Sequence, residues 1–118
     1  MKLLTAELRA TLPGLYAQEG VADPIVYIKF FTPDAGWTWY ATEGSLVDRN
    51  GYAIEPGSGT TPADATDFLF FGYVVGQVGE WGYFALSELE SVRGHLGLPI
   101  ERDLYFNPKA FSEVSQEQ

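Results

Sequence analysis

The sequence predicts a single α+β domain, a mainly antiparallel sheet of about four to five strands with two short helices packed on it. A chain of 118 residues has room for one hydrophobic core. Hydrophobic residues make up 46% of the chain and aromatic residues 15%, which excludes disorder over most of its length. Apolar runs rich in aromatic and β-branched residues alternate with glycine- and proline-containing turns, a pattern typical of β-hairpins.

The first elements are a short helix and a β-hairpin. Residues 5–12 carry leucines at helical spacing after Thr5, a suitable N-cap, and predict the first helix. Residues 25–31 follow Asp-Pro and predict a strand. The turn-forming residues 32–36 lead into a second strand over residues 37–43. Period-two alternation places three of its side chains on one face, which we expect to be buried: Trp37, Trp39 and Ala41.

The middle of the chain predicts a long loop and then a second hairpin. Residues 44–67 contain few large apolar side chains and are expected to form a partly mobile loop, although Asn50-Gly51 also suits a small hairpin turn. Residues 68–76 are apolar enough for an interior strand, in which Gly72 marks a bulge or a close backbone approach. Residues 79–82 are expected to turn the chain into a strand over residues 83–86.

The last third predicts a second helix and a loose end. Ser87 and Glu90 have the spacing of a capping box, and Gly94 is placed to end the helix in a left-handed conformation. Residues 103–108 fit either an edge strand or a short helical turn. The tail, at about residues 113–118, is nearly devoid of apolar side chains and is expected to fray.

The net charge of −9, from 16 acidic and 7 basic residues, restricts the classes of partner. An average field of this sign repels nucleic-acid phosphates and acidic membranes, so direct nucleic-acid binding is disfavoured. It fits plain solubility, or a protein partner with a basic surface. Cysteine is absent, no apolar run is long enough to span a bilayer, and charged residues interrupt the N-terminal Met-Lys-Leu-Leu before a signal peptide develops. We expect a cytoplasmic protein.

No motif in the sequence predicts a catalytic residue, a metal site or a cofactor. His95 is the single histidine, and the C-terminal end of a helix accounts for it. The glycine-rich residues 57–61 lack the lysine of a phosphate-binding loop. The close carboxylates are explained by solvation and by helix N-termini rather than by a cation, because no dense calcium-loop pattern accompanies them. These pairs are Asp64 with Asp67, Glu88 with Glu90, and Glu101 with Asp103.

Several sequence blocks together resemble a bacterial family, domain of unknown function 2958. They are residues 1–5 with Leu8, residues 23–31, 68–72, 80–84, 87–94, 98–103 and 104–106. The resemblance covers nearly the whole chain outside residues 44–67. It implies a small protein carried by plasmids, conjugative elements and phages, and it implies no catalytic residue. Glu80-Trp81-Gly82 departs from the family's more usual aliphatic residue at its middle position.

Two hypotheses about function follow, from different classes. The first is an acidic interaction protein that binds a basic partner, as an inhibitor or nucleic-acid mimic acting on a host-defence protein. Its candidate contacts are Asp48, Glu55, Asp64, Asp67, Trp81, Glu88 and Glu101. The alternative is a small-molecule or nucleotide-processing domain with a polar site near residues 93–103. Its candidate residues are Arg93, His95, Glu101 and Arg102.

Overall fold

The computed structural model describes residues 1–55 and 59–116. In chain order it contains helix α1 (Ala6–Thr11), strands β1 (Ile25–Val26), β2 (Ile28–Phe31) and β3 (Thr38–Val47), a 3-10 turn (Pro62–Asp64), strands β4 (Asp67–Val75) and β5 (Gly79–Ala85), helix α2 (Leu86–Ser91), strands β6 (Glu101–Arg102) and β7 (Lys109–Ala110), and helix α3 (Phe111–Gln116). As predicted, the Thr5 hydroxyl caps α1, accepting from the Leu8 N–H at 3.1 Å.

Five strands form one antiparallel sheet in the order β5-β4-β3-β2-β6, and β1 pairs with β7 in a separate antiparallel ribbon. This single α+β domain, mostly sheet, confirms the predicted fold class. The predicted strand over residues 25–31 is divided at Tyr27 between the two sheets. No helix in the described part of the chain is long and apolar enough to cross a membrane.

Both faces of the five-stranded sheet are covered. The first face carries the larger core, in which Phe30, Phe70 and Phe84 pack with α2 through Leu89 and with the N-terminal segment. The second face carries a smaller core around Tyr40, covered by β1 and α3 through Val26 and Val114. The prediction of one buried face was therefore incomplete. Trp39 and Ala41 are buried as expected, and Tyr40 and Thr42 are buried as well. Trp37, which was also expected to be buried, is half-exposed and stacks on Trp39.

A β-bulge interrupts β3 between Ala41 and Glu43, opposite Gly72 and Phe71 of β4. Gly72 lies so close to the backbone of Tyr40 that a Cβ at this position would overlap the Tyr40 carbonyl. The prediction that Gly72 marks a bulge or a close backbone approach is thus confirmed. Thr42 is the extra residue of the bulge, because Ala41 pairs with Gly72 and Glu43 pairs with Phe71.

The predicted loop over residues 44–67 began too early, because its first four residues belong to β3. β3 continues to Val47, because Leu46 and Val47 pair with Phe68 and Asp67 of β4 and extend the sheet. Asn50-Gly51 does turn a small hairpin: the Gly51 φ is 82°, and the Asp48 N–H donates to the Tyr52 carbonyl at 3.0 Å. Residues 56–58, in the glycine-rich run, lie outside the described residues.

The second hairpin also differs from the prediction. β5 already begins at Gly79, so residues 76–78 form the connection and Trp81 lies within a strand rather than in a turn. Cross-strand pairing explains the difference: Trp81 lies opposite Tyr73, and Tyr83 lies opposite Phe71. These aromatic pairs favour a strand despite the two flanking glycines.

Helix α2 begins and ends elsewhere than its sequence motifs predicted. Its cap is made by the Glu88 carboxylate, which accepts from the Ala85 N–H at 3.1 Å, while Ser87 bonds to Asp67. The prediction of a capping box formed by Ser87 and Glu90 was wrong, because the helix starts before Ser87. It ends at the extended Val92, and Gly97, not Gly94, takes the left-handed conformation.

The C-terminal part is more ordered than predicted. Residues 103–106 form a turn, with the Phe106 N–H donating to the Asp103 carbonyl at 3.3 Å. The expectation that the tail frays from about residue 113 was wrong over α3, whose Val114 is 1% exposed. The Asp23 carboxylate anchors this helix by accepting from the Ser112 N–H and hydroxyl at 2.9 and 2.7 Å. Residues 117–118 lie outside the described residues.

Candidate functional site

A cavity of about 390 Å³ opens on the second face of the sheet, beside the edge strand β5. One wall comes from β4 and β5, its floor from the bulge of β3, and the opposite wall from residues 16–24, which connect α1 to β1. We call it the aromatic cleft. Its polar and aromatic lining consists of Tyr16, Gln18, Glu19, Thr42, Glu43, Phe71, Trp81 and Tyr83.

The sheet wall of the aromatic cleft is a packed row of rings. Trp81 stacks on Phe71 with ring centroids 6.0 Å apart and planes 15° from parallel, and Tyr83 meets Phe71 edge-on at 4.9 Å. Phe111 of α3 supports Trp81 from the other side, at 4.7 Å. Trp81 remains 42% exposed and Tyr83 52% exposed. The wall therefore presents aromatic surface to solvent in positions already fixed by packing.

The floor of the cleft is a consequence of the bulge. Strand alternation normally sends neighbouring side chains to opposite faces, but the extra residue lets both Thr42 and Glu43 line the cleft. The Thr42 hydroxyl donates to the Phe71 carbonyl at 3.1 Å. Glu43 is only 4% exposed, and its two carboxylate oxygens accept from the N–H groups of Tyr16 and Gln18, each at 2.7 Å.

The opposite wall is held in a conformation that costs free energy. Tyr16 has a φ of 74°, in the left-handed region that bulky residues seldom adopt. Glu43 fixes this geometry through the Tyr16 N–H, and the Gln18 side chain ties the wall to Ile25 and to the Thr42 carbonyl. Backbone strain of this kind is concentrated at binding and catalytic sites. The Tyr16 ring is nevertheless exposed, so burial of the ring does not explain the strain.

The aromatic cleft is electrostatically one-sided. The carboxylates of Glu19 and Glu43 line it, and no lysine, arginine or histidine does so among the described residues. Desolvation raises the pKa of the Tyr83 phenol, and a hydrogen bond with Tyr16 and the nearby charges of Glu43 and Glu19 add to the effect. Tyr83 therefore stays neutral at physiological pH. The cleft combines aromatic faces with negative charge, the two features that attract an organic cation.

The acidic residues proposed as contacts mostly have local structural partners. Carboxylates of Asp48 and Asp64 accept backbone N–H bonds within their own turns. Asp67 bonds to Ser87, and Glu88 caps α2. With the exposed Glu55, they surround the junction of the β3 end and the β4 start, whereas Glu101 lies on β6 at the other side of the sheet. The structure thus places Glu101 away from the other five.

The residues of the alternative hypothesis do not share one cavity. Arg93 donates to the Glu90 and Val92 carbonyls at the end of α2, and His95 is exposed beside Trp37. Glu101 and Arg102 line a different depression, near Tyr105. The Arg102 guanidinium is occupied by the Lys2 and Leu3 carbonyls, at 2.7 and 3.0 Å. Arg102 thus clamps the N-terminal backbone. In the described residues, no cluster of three or more His, Asp or Glu side chains is suited to a metal ion.

Sequence reasoning found one residue of the aromatic cleft, Trp81, and missed Tyr16, Glu19, Glu43 and Tyr83. They come from three separate parts of the chain, and none belongs to a motif with a known chemistry. One signal was present at the bulge. The polar run Thr42-Glu43-Gly44 breaks the alternation of an otherwise aromatic strand, which is what an inserted residue does.

Comparison with known families matches residues 57–115, half of the chain, to the family described as "Protein of unknown function (DUF2958)". The chain belongs to this family. The matched range contains the sheet wall of the cleft, whereas Tyr16 and Glu43 precede it, as do the two N-terminal blocks of the resemblance. No curated protein and no solved structure matches the chain.

Proposed function

We propose that this DUF2958 protein is an acidic interaction module that binds a partner protein with a basic surface, taking up a lysine or arginine side chain in the aromatic cleft. The observation that carries the proposal is the composition of the cleft. Four aromatic rings and two carboxylates line it, and no basic residue does so in the described chain.

Physical chemistry supports a cation as the ligand. A cation over a tryptophan or tyrosine ring gains about 0.5 to 2 kcal/mol, more when desolvated. The cleft volume of about 390 Å³ suits one long side chain better than a large cofactor. Because the aliphatic stem of lysine or arginine also packs on rings, both ends of such a side chain find complementary surface.

The charge of the whole chain supports a basic partner as well. A net charge of −9 accelerates association with a basic surface and makes it sensitive to salt. The fixed carboxylates around the β3–β4 junction add a second negative region outside the cleft. The resemblance to this family implies carriage by plasmids, conjugative elements and phages. On that expectation we propose a cytoplasmic nucleic-acid-binding protein of host defence as the partner, inhibited by this contact.

A peptide-binding experiment tests the cleft directly. The probe is a capped peptide of alternating arginine and threonine, long enough to span the seven residues of β5, with a glutamate–threonine peptide as its negative control. Binding is measured by calorimetry on the wild type and on Glu19→Gln and Tyr83→Ala. Matched controls are Glu90→Gln, an exposed acid on α2, and Tyr105→Ala, an exposed ring outside the cleft.

The expected result is selective binding of the basic peptide, weakened about two- to thirtyfold by each cleft variant, which corresponds to the loss of one cation–π or charge contact. The two control variants should bind nearly as the wild type does. Equal weakening by Glu90→Gln and Glu19→Gln would mean that net charge alone attracts the peptide, and the cleft would lose its assigned role. Absence of binding would refute the interaction itself.

A further inference from the structure

The outer edge of β5 is open. β5 pairs with β4 on one side, and no strand in the described chain pairs with it on the other. Every second residue of the seven therefore has its N–H and C=O pointing outward. At the end of the strand the Ala85 N–H donates to the Glu88 carboxylate, and the outward groups nearer Gly79 are the ones that another strand can use. Proteins usually blunt such an edge with lysine, proline or a bulge. β5 contains neither of these residues, and Glu80 is its single charged side chain.

The opposite edge shows that this chain does blunt edges. β6 has only two residues, Glu101 and Arg102, both charged. The N-terminal segment lies along it, because the Arg102 N–H donates to the Met1 Sδ and the guanidinium donates to the Lys2 and Leu3 carbonyls. One edge is short, charged and covered, whereas the other is long, nearly uncharged and bare.

The open edge borders the aromatic cleft. Trp81 and Tyr83 project from β5 on the cleft side. Phe84 is buried in the core of the first face, and Glu80 lies on the same face of the strand as Phe84. A strand added to β5 would send alternate side chains over the cleft and the others towards Glu80. Both sides are acidic, since Glu19 and Glu43 lie on one and Glu80 on the other.

We propose that an extended, basic segment of the partner adds to β5 as a further strand of the sheet, with one lysine or arginine side chain entering the aromatic cleft. This inference rests on the proposed function and specifies the conformation in which the partner binds. Charge complementarity selects a basic segment over a second copy of this chain. Two copies paired through β5 would bring two acidic clefts together in chains that each carry a charge of −9.

Amide hydrogen exchange by NMR tests strand addition on the intact protein. In the free protein, the outward N–H groups of β5 should exchange quickly, apart from that of Ala85, which is bonded to Glu88, and those bonded to β4 should exchange slowly. Saturation with the arginine–threonine peptide should slow the outward set roughly tenfold or more and leave the inward set unchanged. This alternation along one strand is not produced by a side chain that merely enters the cleft.

A charge-reversal pair provides the second test. Glu80→Lys places a positive charge beside the added strand but outside the cleft, and should weaken peptide binding about threefold or more at low salt. Glu90→Lys makes the same change of net charge on α2 and should have a smaller effect.

The outcomes separate the two proposals. Peptide binding with unprotected outward amides would overturn strand addition and leave the cation-binding cleft standing. No binding of the peptide at all would overturn both. A dimer in sedimentation velocity, with the β5 amides protected in the absence of peptide, would assign the edge to a second copy and overturn the basic partner segment.

Discussion

The two edges of the main sheet are treated in opposite ways. At β6 the strand stops after two residues, and Arg102 draws the N-terminal backbone over it. At β5 the strand runs for seven residues with no strand paired to its outer side in the described chain, and its Trp81 and Tyr83 form the wall of a cleft. An open edge is an aggregation hazard, and its position beside the acidic cleft is the reason we propose that this surface binds a partner.

The largest expected effect concerns the covered edge. Arg102→Ala removes two charge-assisted hydrogen bonds to backbone carbonyls. It also releases the N-terminal segment, whose Leu3 and Leu4 side chains are buried in the core. We expect the free energy of unfolding to fall by about 2 to 3 kcal/mol, the range for hydrogen bonds to a charged group. Urea denaturation measures it.

Arg93→Ala is the matched control for this prediction. Arg93 also donates to backbone carbonyls, but at an exposed helix end where water replaces the lost bonds. Its effect should be below about 1 kcal/mol. Equal losses in the two variants would show that Arg102 does not specifically secure the β6 edge.

A smaller effect on stability, with a larger one on binding, is expected at Tyr16. Tyr16→Gly removes left-handed strain of about 1 to 2 kcal/mol but adds flexibility to the unfolded chain, so the free energy of unfolding should change by less than about 1 kcal/mol. Peptide affinity should fall severalfold because the Tyr16 ring is removed from one wall of the cleft. Denaturation and calorimetry on the same sample measure both quantities.

The control for Tyr16 is Tyr105→Gly, which removes an exposed ring at a position without positive φ. That variant should lose a little stability and keep its affinity. If Tyr16→Gly instead destabilised the protein by several kcal/mol, the strained residue would have a structural role, and its assignment to the cleft would be wrong.

The smallest effect is a pH dependence at α3, whose Phe111 supports Trp81. Hydrogen bonds from the Ser112 hydroxyl and N–H to the charged form hold the pKa of Asp23 below its usual value of 3.8. A carboxyl with a lowered pKa stabilises the folded form above 3.8, and this contribution is lost as the pH falls through the lower folded pKa. The protection factors of the α3 amides, which correct for the pH dependence of intrinsic exchange, should therefore fall in strong acid.

Asp23→Asn isolates that titration. The variant should show lower protection factors in α3 at neutral pH and little further change on acidification, because the side-chain amide that replaces the carboxyl does not titrate. Glu113→Gln, on the same helix, should behave like the wild type. An unchanged acid response in Asp23→Asn would place the sensitivity in another group.

The sequence alone determined the fold class, the first helix, the pairing of residues 28–31 with a tryptophan-containing strand, and the close approach at Gly72. These are local properties: turn chemistry, a helix cap and apolar alternation act between residues near in the chain. Predictions from local motifs went wrong where distant partners compete with them. Cross-strand pairing with Tyr73 and Phe71 favours a strand at Trp81 and Tyr83. Packing of Val114 against Val26 and Tyr40 stabilises α3 in the otherwise polar tail.

Only the tertiary structure decided the site. The cleft depends on one extra residue in β3, which lets both Thr42 and Glu43 line it, and on a buried carboxylate that holds Tyr16 in a left-handed conformation. The tertiary structure likewise decided which sheet edge stays open, because strand order depends on pairing between segments far apart in the chain. Bulges, strand order and side-chain convergence arise from contacts between segments far apart in sequence, so no local pattern encodes them.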